Sequence, residues 1–288
     1  MSIPKLEKSI ASLRVTWLGA LTYFLSSSHK LRIMNNIDLV FKNSITPRDK
    51  QQLCKAFFSH TITSIREVLR MSFPGKQRLR KRIDVRGIEH LLNAAAKNRG
   101  VFLLTGHLGN FEFAQLLFTA FTHQFNGQFH TVRKSLKSPF IEQFLFSRFK
   151  KNGVNIIHKD NAVQGMKKAL SENGAIWFTI DQRPPSRSRS GCETDFLGIQ
   201  TTAYKTIATL AHRWKIPVIP SITYRVEKGR HIVEFHPELE WQEHSDREIA
   251  IIENTKLYSK TIESFILQHP EQWIWSYNRW NKDLKKHA

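Results

Sequence analysis

The sequence is poor in cysteine and in acidic residues, and each shortage narrows the class of protein to which it can belong. The two cysteines, Cys54 and Cys192, lie far apart and outside any metal-ligand spacing. They argue against a disulfide framework and favour a reducing compartment. There are 24 acidic residues against 44 Lys and Arg, so the formal net charge is +20. Such a surface attracts polyanions, namely nucleic acid, an anionic membrane leaflet or an acidic carrier protein.

Several standard site motifs are also missing from the sequence. It contains no P-loop, no dinucleotide-binding glycine pattern, no zinc-ligand spacing and no GxSxG motif. Nothing in it resembles a nucleic-acid-binding module, so we expect no nucleic-acid partner. An apolar content of 41% nevertheless predicts a packed core rather than disorder.

Long hydrophobic runs are lacking too, and the N-terminal run is short. Val15 to Leu25 forms an uncharged stretch of eleven residues between basic residues and Ser26 to Ser28. About 20 apolar residues are needed to span a bilayer. We therefore expect a membrane-associating helix over about residues 13–26 that lies in the interface. An ordinary core helix and a cleaved signal peptide are the alternatives.

Apolar periodicity predicts a helical region over residues 1–75, followed by an α/β domain over 76–288. Length permits one large domain or two small ones. The predicted helices are 47–71, 88–97, 113–121, 139–149, 162–171, 201–214 and 248–268, and 181–199 is predicted as a loop. The predicted strands are 101–104, 128–132, 155–158, 175–180, 218–225 and 231–235. This alternation indicates an α/β fold with a mixed, mostly parallel sheet flanked by helices.

The segment between strand 101–104 and the next predicted helix carries a candidate catalytic pair. His107 and Glu112 lie at this strand-to-helix junction, where open α/β sheets bind their ligands. Histidine can take a proton near neutral pH, and a nearby carboxylate can orient it. Alternatively, Asn110 caps the helix, and Glu112 lies in its first turn because the helix dipole favours an acidic residue there. Gly109 would let the backbone approach a ligand.

Candidate anion-binding residues follow other predicted strands. Asp181 and Gln182 open a loop after strand 175–180, and arginines among serines make that loop suitable for phosphate. Its arginines are Arg183, Arg187 and Arg189. Arg133 ends strand 128–132 and Arg148 follows on a helix, so either could hold an anionic substrate or simply be surface charge. Aromatic and basic residues near Trp273 to Trp280 suit a membrane interface, or equally a packed loop.

Five blocks, in order, resemble the bacterial lipid A late acyltransferases, the lauroyl and myristoyl transferases of the glycerolipid acyltransferase superfamily. The blocks are Arg32 to Ile37 with Phe41, TGHLGNFE at 105–112, FTIDQRPP at 178–185 with Asp195 to Gly198, Ile216 to Pro220, and Pro270 to Trp275. The sequence departs from the family at Tyr277-Asn278-Arg279, where a His often precedes an Arg pair, and in its long arginine-serine loop.

The resemblance implies O-acyl transfer without a cofactor. The donor would be acyl carrier protein, the acceptor an anionic lipid A precursor, and the location the cytoplasmic face of the cell inner membrane. His107 would act as base and Glu112 would orient it. The substrate-binding residues would be Gly109, Asn110, Arg133, Arg148, Asp181, Gln182, Arg183, Arg187, Arg189 and Gly198. The alternatives are an acyltransferase of the same fold acting on another lysolipid or glycolipid, and a non-catalytic basic peripheral membrane protein.

Overall fold

The computed structural model describes residues 6, 9–71, 82–110, 125, 127–133, 142–143, 147, 149–185 and 188–280. Three helices lead the described chain: α1 (Trp17–Leu25), α2 (Ser27–Phe41) and α3 (Pro47–Met71). Among the described residues, no helix combines the length and apolar character needed to cross a membrane.

Helix α1 begins where the sequence supplies a capping residue. The Thr16 hydroxyl accepts a hydrogen bond from the Gly19 backbone N–H at 3.1 Å and so caps α1. Gly19 also lets α1 approach α3 closely, since a Cβ there would lie 2.0 Å from the Ser59 hydroxyl oxygen. The predicted helix 47–71 is confirmed as α3, with Pro47 in its first turn.

A seven-stranded sheet forms the centre of the α/β part. Its strands are β1 (Ile83–Arg86), β2 (Val101–Thr105), β3 (Phe129–Arg133), β4 (Val154–His158), β5 (Ala175–Thr179), β8 (Val218–Arg225) and β9 (His231–Phe235). They lie in the order β1-β9-β8-β2-β5-β3-β4, and all neighbouring pairs are parallel except β8 with β9. The other described helices are α4 (Ile88–Ala95), α5 (Ala162–Ser171), α6 (Thr206–Trp214) and α7 (Arg247–Gln268). The predicted α/β class with a mixed, mostly parallel sheet is confirmed.

A hydrophobic core continues from the N-terminal helices into the α/β part. Phe41 of α2 contacts Trp275, with ring centroids 5.9 Å apart. Asn36 donates to the Trp275 carbonyl at 2.7 Å and to the Tyr277 carbonyl at 3.0 Å. These contacts fix α2 against the C-terminal segment.

The structure corrects one predicted helix and the second half of the predicted loop 181–199, and it adds three strands. Residues 191–204 form a hairpin of β6 (Gly191–Phe196) and β7 (Ile199–Tyr204), so helix 201–214 begins later, at Thr206. Leu197 and Gly198 have φ of 51° and 77°, which two-residue hairpin turns require. Strand β1 was not predicted. The predicted helices 113–121 and 139–149 lie wholly or largely outside the described residues.

Candidate active site

His107 and Asp181 meet because β2 and β5 are parallel neighbours. Thr105, the last residue of β2, pairs with Thr179, the last residue of β5. The chain therefore leaves both strands at the same edge of the sheet. His107 lies two residues beyond one strand, and Asp181 lies two residues beyond the other.

The Asp181 carboxylate accepts three hydrogen bonds at this edge. Oδ1 accepts from Nδ1 of His107 at 2.8 Å, and Oδ2 accepts from the His107 backbone N–H at 2.8 Å. Oδ2 also accepts from the indole N–H of Trp273 at 2.7 Å. Asp181 has no exposed side-chain surface, whereas 22% of the His107 side chain is exposed. The imidazole is thus fixed on one side and accessible on the other.

The charges of this pair stabilise each other. Burial lowers the pKa of His107, but the charge and hydrogen bond of Asp181 outweigh burial and raise that pKa above its ordinary value. Arg133 acts in the opposite direction. Burial raises the pKa of Asp181, yet His107 and Trp273 together hold it below its ordinary value. Ionised Asp181 keeps the proton on Nδ1, which leaves the Nε2 lone pair to accept a proton.

A cavity of about 60 Å³ is lined in part by Gly106 and Leu108, the chain neighbours of His107. Its lining combines hydroxyl groups and Arg133 with apolar side chains. The lining residues are Thr105, Gly106, Leu108, Thr131, Arg133, Phe149, Val154, Trp177, Thr179 and Thr223. The Arg133 guanidinium lies 4.2 Å from the centre of the Phe149 ring. Of the predicted anion-binding residues, Arg133 therefore shares a cavity wall with the backbone that precedes His107.

Two predicted substrate residues hold the loop in place instead of lining this cavity. Gly109 has φ of 66°, and a Cβ there would lie 1.8 Å from the Thr223 carbonyl oxygen, so the position requires glycine. Its N–H donates to the Gln272 carbonyl at 3.0 Å. Asn110 is 3% exposed and donates to Glu67 at 2.9 Å.

The remaining predicted residues are spread around the site. Gln182 Nε2 lies 3.5 Å from Nε2 of His107, and Arg183 donates to the Asn278 carbonyl at 3.2 Å. Arg189 lies in a separate open groove with Lys205 and Arg247, and Gly198 lies in the turn of the β6–β7 hairpin. Glu112, Arg148 and Arg187 lie outside the described residues, so their predicted roles stay predictions.

Sequence reasoning missed two features of the site. It assigned Asp181 to the substrate and Glu112 to His107, whereas the structure places Asp181 on Nδ1 of His107. It also offered the aromatic residues near Trp273 to Trp280 as a membrane interface or as a packed loop. Trp273, Trp275 and Trp280 are buried, so the packed alternative holds, and Trp273 contacts Asp181. The PEQWIW block was a signal that this segment belongs to the site. Leu108 and Trp273 form a β-bridge, which brings the two blocks together.

Comparison with known proteins identifies the family. The model of the bacterial lipid A biosynthesis acyltransferases matches residues 1–282. The chain belongs to this family. It is therefore an acyltransferase, and the alternative of a non-catalytic membrane protein is wrong.

Individual relatives of this acyltransferase are distant. Lipid A biosynthesis acyltransferase 2 of Shigella flexneri is 22% identical over 264 residues, which are 90% of this chain and 78% of the relative. The lipid A biosynthesis acyltransferase of Haemophilus influenzae is 18% identical, over 90% of this chain and 76% of the relative. The phosphatidylinositol mannoside acyltransferase of Mycobacterium tuberculosis is 24% identical, over 77% of this chain and 68% of the relative.

Proposed function

We propose that the protein transfers a fatty acyl chain from acyl carrier protein to a hydroxyl of a lipid A precursor that already bears acyl chains. The observation that carries the chemical part of this proposal is the Asp181–His107 hydrogen bond at the sheet edge. The names of the family and of two relatives support the lipid A acceptor. An acidic carrier protein and a phosphorylated lipid both complement the formal net charge of +20.

The site supplies the general base that O-acylation needs. Nε2 of His107 removes the proton of the acceptor hydroxyl, and the resulting alkoxide attacks the thioester carbonyl. The ionised Asp181 stabilises the imidazolium that forms. The carbon–sulfur bond then breaks, and the thiol of the carrier leaves after taking the proton from His107. A thioester is already activated, so the step requires no covalent enzyme intermediate.

Arg133 is our candidate for stabilising the oxyanion of the tetrahedral intermediate. It lines the cavity together with Gly106, and its charge already acts on His107. A fixed positive charge or backbone N–H close to the developing oxyanion lowers the barrier to acyl transfer. The loop backbone over residues 106–110 is the second candidate for this role.

We further propose that the enzyme works at the cytoplasmic face of the inner membrane. Helix α1 presents large apolar side chains to solvent, with Trp17 75% and Phe24 65% exposed. Lys30 and Lys55 lie beside Tyr23, at 5.1 and 5.5 Å from its ring centre. An exposed apolar helix face on a protein of formal net charge +20 suits an interfacial helix on an anionic leaflet.

A different glycolipid acceptor is the second candidate. It is favoured by the mycobacterial relative, whose name refers to phosphatidylinositol mannoside and whose identity to this chain is 24%. This chain also departs from the family at Tyr277-Asn278-Arg279 and in its arginine loop. Both candidates use the same base and the same attack on an acyl thioester.

Mass spectrometry of lipids from cells with and without the gene separates the two acceptors. The proposal predicts that lipid A from the deletion strain lacks one secondary acyl chain. A plasmid carrying the wild-type gene should restore the chain, and one carrying His107→Ala should not. Unchanged lipid A together with a missing acyl chain on another glycolipid would replace the lipid A proposal by the second candidate.

A further inference from the structure

A group of buried polar side chains lies against the loop that carries His107, and no step of the mechanism above uses it. We name it the Glu67 cluster. Its members are His60, Ser64 and Glu67 of α3, Asn110 of the loop, Arg225 of β8 and His231 of β9. Glu67 is 9% exposed and His231 is fully buried. Burying ionisable groups is costly unless they are paired, so such a cluster needs a reason.

Glu67 is the centre of the cluster. Arg225 donates to both of its oxygens, from Nε to Oε1 at 3.0 Å and from Nη2 to Oε2 at 2.5 Å. Oε1 also accepts from Nε2 of His231 at 3.1 Å, and Oε2 accepts from the Asn110 amide at 2.9 Å. Burial raises the pKa of Glu67, but the hydrogen bonds from His231 and Arg225 prevail and lower it to about 2. Glu67 is therefore ionised throughout the working pH range.

His60 links the cluster to the loop backbone through hydrogen bonds to Arg225 and to Gly109. Burial, reinforced by the charge of Arg225, lowers the pKa of His60 to about 3, so its ring is neutral. Nη1 of Arg225 donates to Nδ1 of His60 at 2.8 Å. The ring proton therefore lies on Nε2, which is 3.3 Å from the Gly109 carbonyl oxygen and donates to it.

The loop is also held from the opposite side by Gln272. Its backbone carbonyl accepts from the Gly109 N–H at 3.0 Å. Its side chain accepts from the Arg225 N–H at 2.8 Å and donates to the Arg225 carbonyl at 2.9 Å. Gly109 and Asn110 are thus fixed to α3, β8 and the C-terminal segment at once, two and three residues beyond His107.

We infer that Glu67 and Arg225 are positioning residues that act through Gly109 and Asn110 to hold His107 on Asp181. The inference rests on the proposed role of His107 as base. Loss of either residue should release the loop and lengthen the bond between His107 and Asp181. That change weakens catalysis more than substrate binding, because a small misplacement of a reacting group is costly in rate.

A proton titration of His107 by NMR tests this inference without using substrate. Protein labelled with ¹³C on the histidine rings is compared for wild type, Glu67→Gln and Arg225→Met, and the His107 signal is assigned from its absence in His107→Asn. Among the described residues, the charged groups that act on His107 are Asp181 and Arg133. Because Asp181 raises the pKa of His107, we expect this pKa to fall by about half a pH unit or more in both variants.

The matched control removes a charge of the same kind from an exposed ion pair. Glu253 pairs with Lys256 at 2.7 Å on the surface of α7, so Glu253→Gln should leave the His107 titration unchanged. If Glu67→Gln or Arg225→Met does not fold, Asn110→Ala replaces it, with a smaller shift in the same direction. A His107 titration identical to wild type in the folded variants would overturn the positioning role.

Kinetics on the folded variants provide a second readout. We expect kcat to fall about tenfold while KM changes little, and the acid limb of the pH profile to move to lower pH. A lower yield of folded protein with unchanged kcat and an unmoved acid limb would mean that the cluster is merely structural. If the wild type transfers no acyl group, the proposed function fails, but the NMR titration still decides the positioning role.

Discussion

At the scale of single residues, the site depends on one buried carboxylate. Asp181 accepts from the ring of His107, from its backbone and from the Trp273 indole, at 2.7 to 2.8 Å. An ionised carboxylate of this kind selects the tautomer in which Nδ1 carries the proton. The exposed side of the imidazole is then a base whose pKa is raised, and it is directed away from the core.

Asp181→Asn should reduce turnover by roughly 10²–10⁴-fold and move the acid limb of the pH profile to lower pH. The base must be neutral to act, so activity rises as pH passes through the pKa of His107. Removing the Asp181 charge lowers that pKa, because this charge raises it in the wild type. The measurement is kcat/KM against pH.

Asp38→Asn is the matched control for this prediction, since Asp38 is half exposed on α2 and pairs there with Lys50 at 2.8 Å. It should leave the profile unchanged. An acid limb of Asp181→Asn that coincides with the wild type would contradict the orienting role of Asp181. Glu112→Gln in the same assay compares the carboxylate that the sequence favoured with the one that the structure places on His107.

The sequence favoured Glu112 over Asp181 as the partner of His107, for a physical reason. Glu112 is five positions away along the chain, so a local pattern points to it. Asp181 lies 74 residues from His107, and the register Thr105 to Thr179 brings the two together. The sequence pattern shows which residues follow the end of each strand. It does not show which strands become neighbours in the sheet, because tertiary packing decides that.

At the scale of elements, α1 combines a packed face with an apolar face in solvent. Tyr23 packs on Phe58 of α3, with ring centroids 6.0 Å apart. Trp17, Leu21, Phe24 and Leu25 are between 47% and 75% exposed on the other side. Nine helical residues are about 13 Å long, far less than the hydrocarbon core of about 30 Å. This geometry favours a helix that lies along the interface.

Replacing Trp17 and Phe24 together by Ser should lower the affinity for anionic vesicles by about tenfold or more. Burial of each large apolar side chain contributes roughly 1.5–3 kcal/mol. Co-sedimentation with vesicles that contain anionic lipid measures the change. Val163→Ser is the control, because Val163 is 57% exposed on α5, in a different part of the molecule. Equal binding of the double variant and the wild type would show that α1 does not bind the membrane.

The β6–β7 hairpin was not predicted, because its turn lacks the residues that usually mark a hairpin. Its turn residues are Leu197 and Gly198, and Leu197 is a buried non-glycine residue with φ of 51°. Typical hairpin sequences place Asn-Gly or Asp-Gly at this point. Strand β7 ends at Tyr204, and helix α6 begins only two residues later, at Thr206. Because this gap is so short, the pattern of apolar residues does not mark the boundary between strand and helix.

At the scale of the whole molecule, a core cluster joins the N-terminal helices to the α/β part. Ile33 and Phe41 of α2 share that cluster with Trp273 and Trp275. The sequence predicted helix α3 and the strands of the seven-stranded sheet from β2 onwards, because their apolar runs are strongly periodic. It could not predict that α3 reaches the loop beyond His107, since that contact joins residues 43 positions apart.

Acyl transfer by the purified protein tests the central claim most directly. The enzyme is incubated with acyl carrier protein loaded with a fatty acyl chain and with a lipid A precursor in detergent, and the lipid is analysed by mass spectrometry. The account predicts that the wild type adds the mass of one acyl chain. It predicts that folded His107→Ala, checked by its melting temperature, is slower by roughly 10²–10⁴-fold. Absence of the wild-type product, or equal turnover by His107→Ala, would contradict the account.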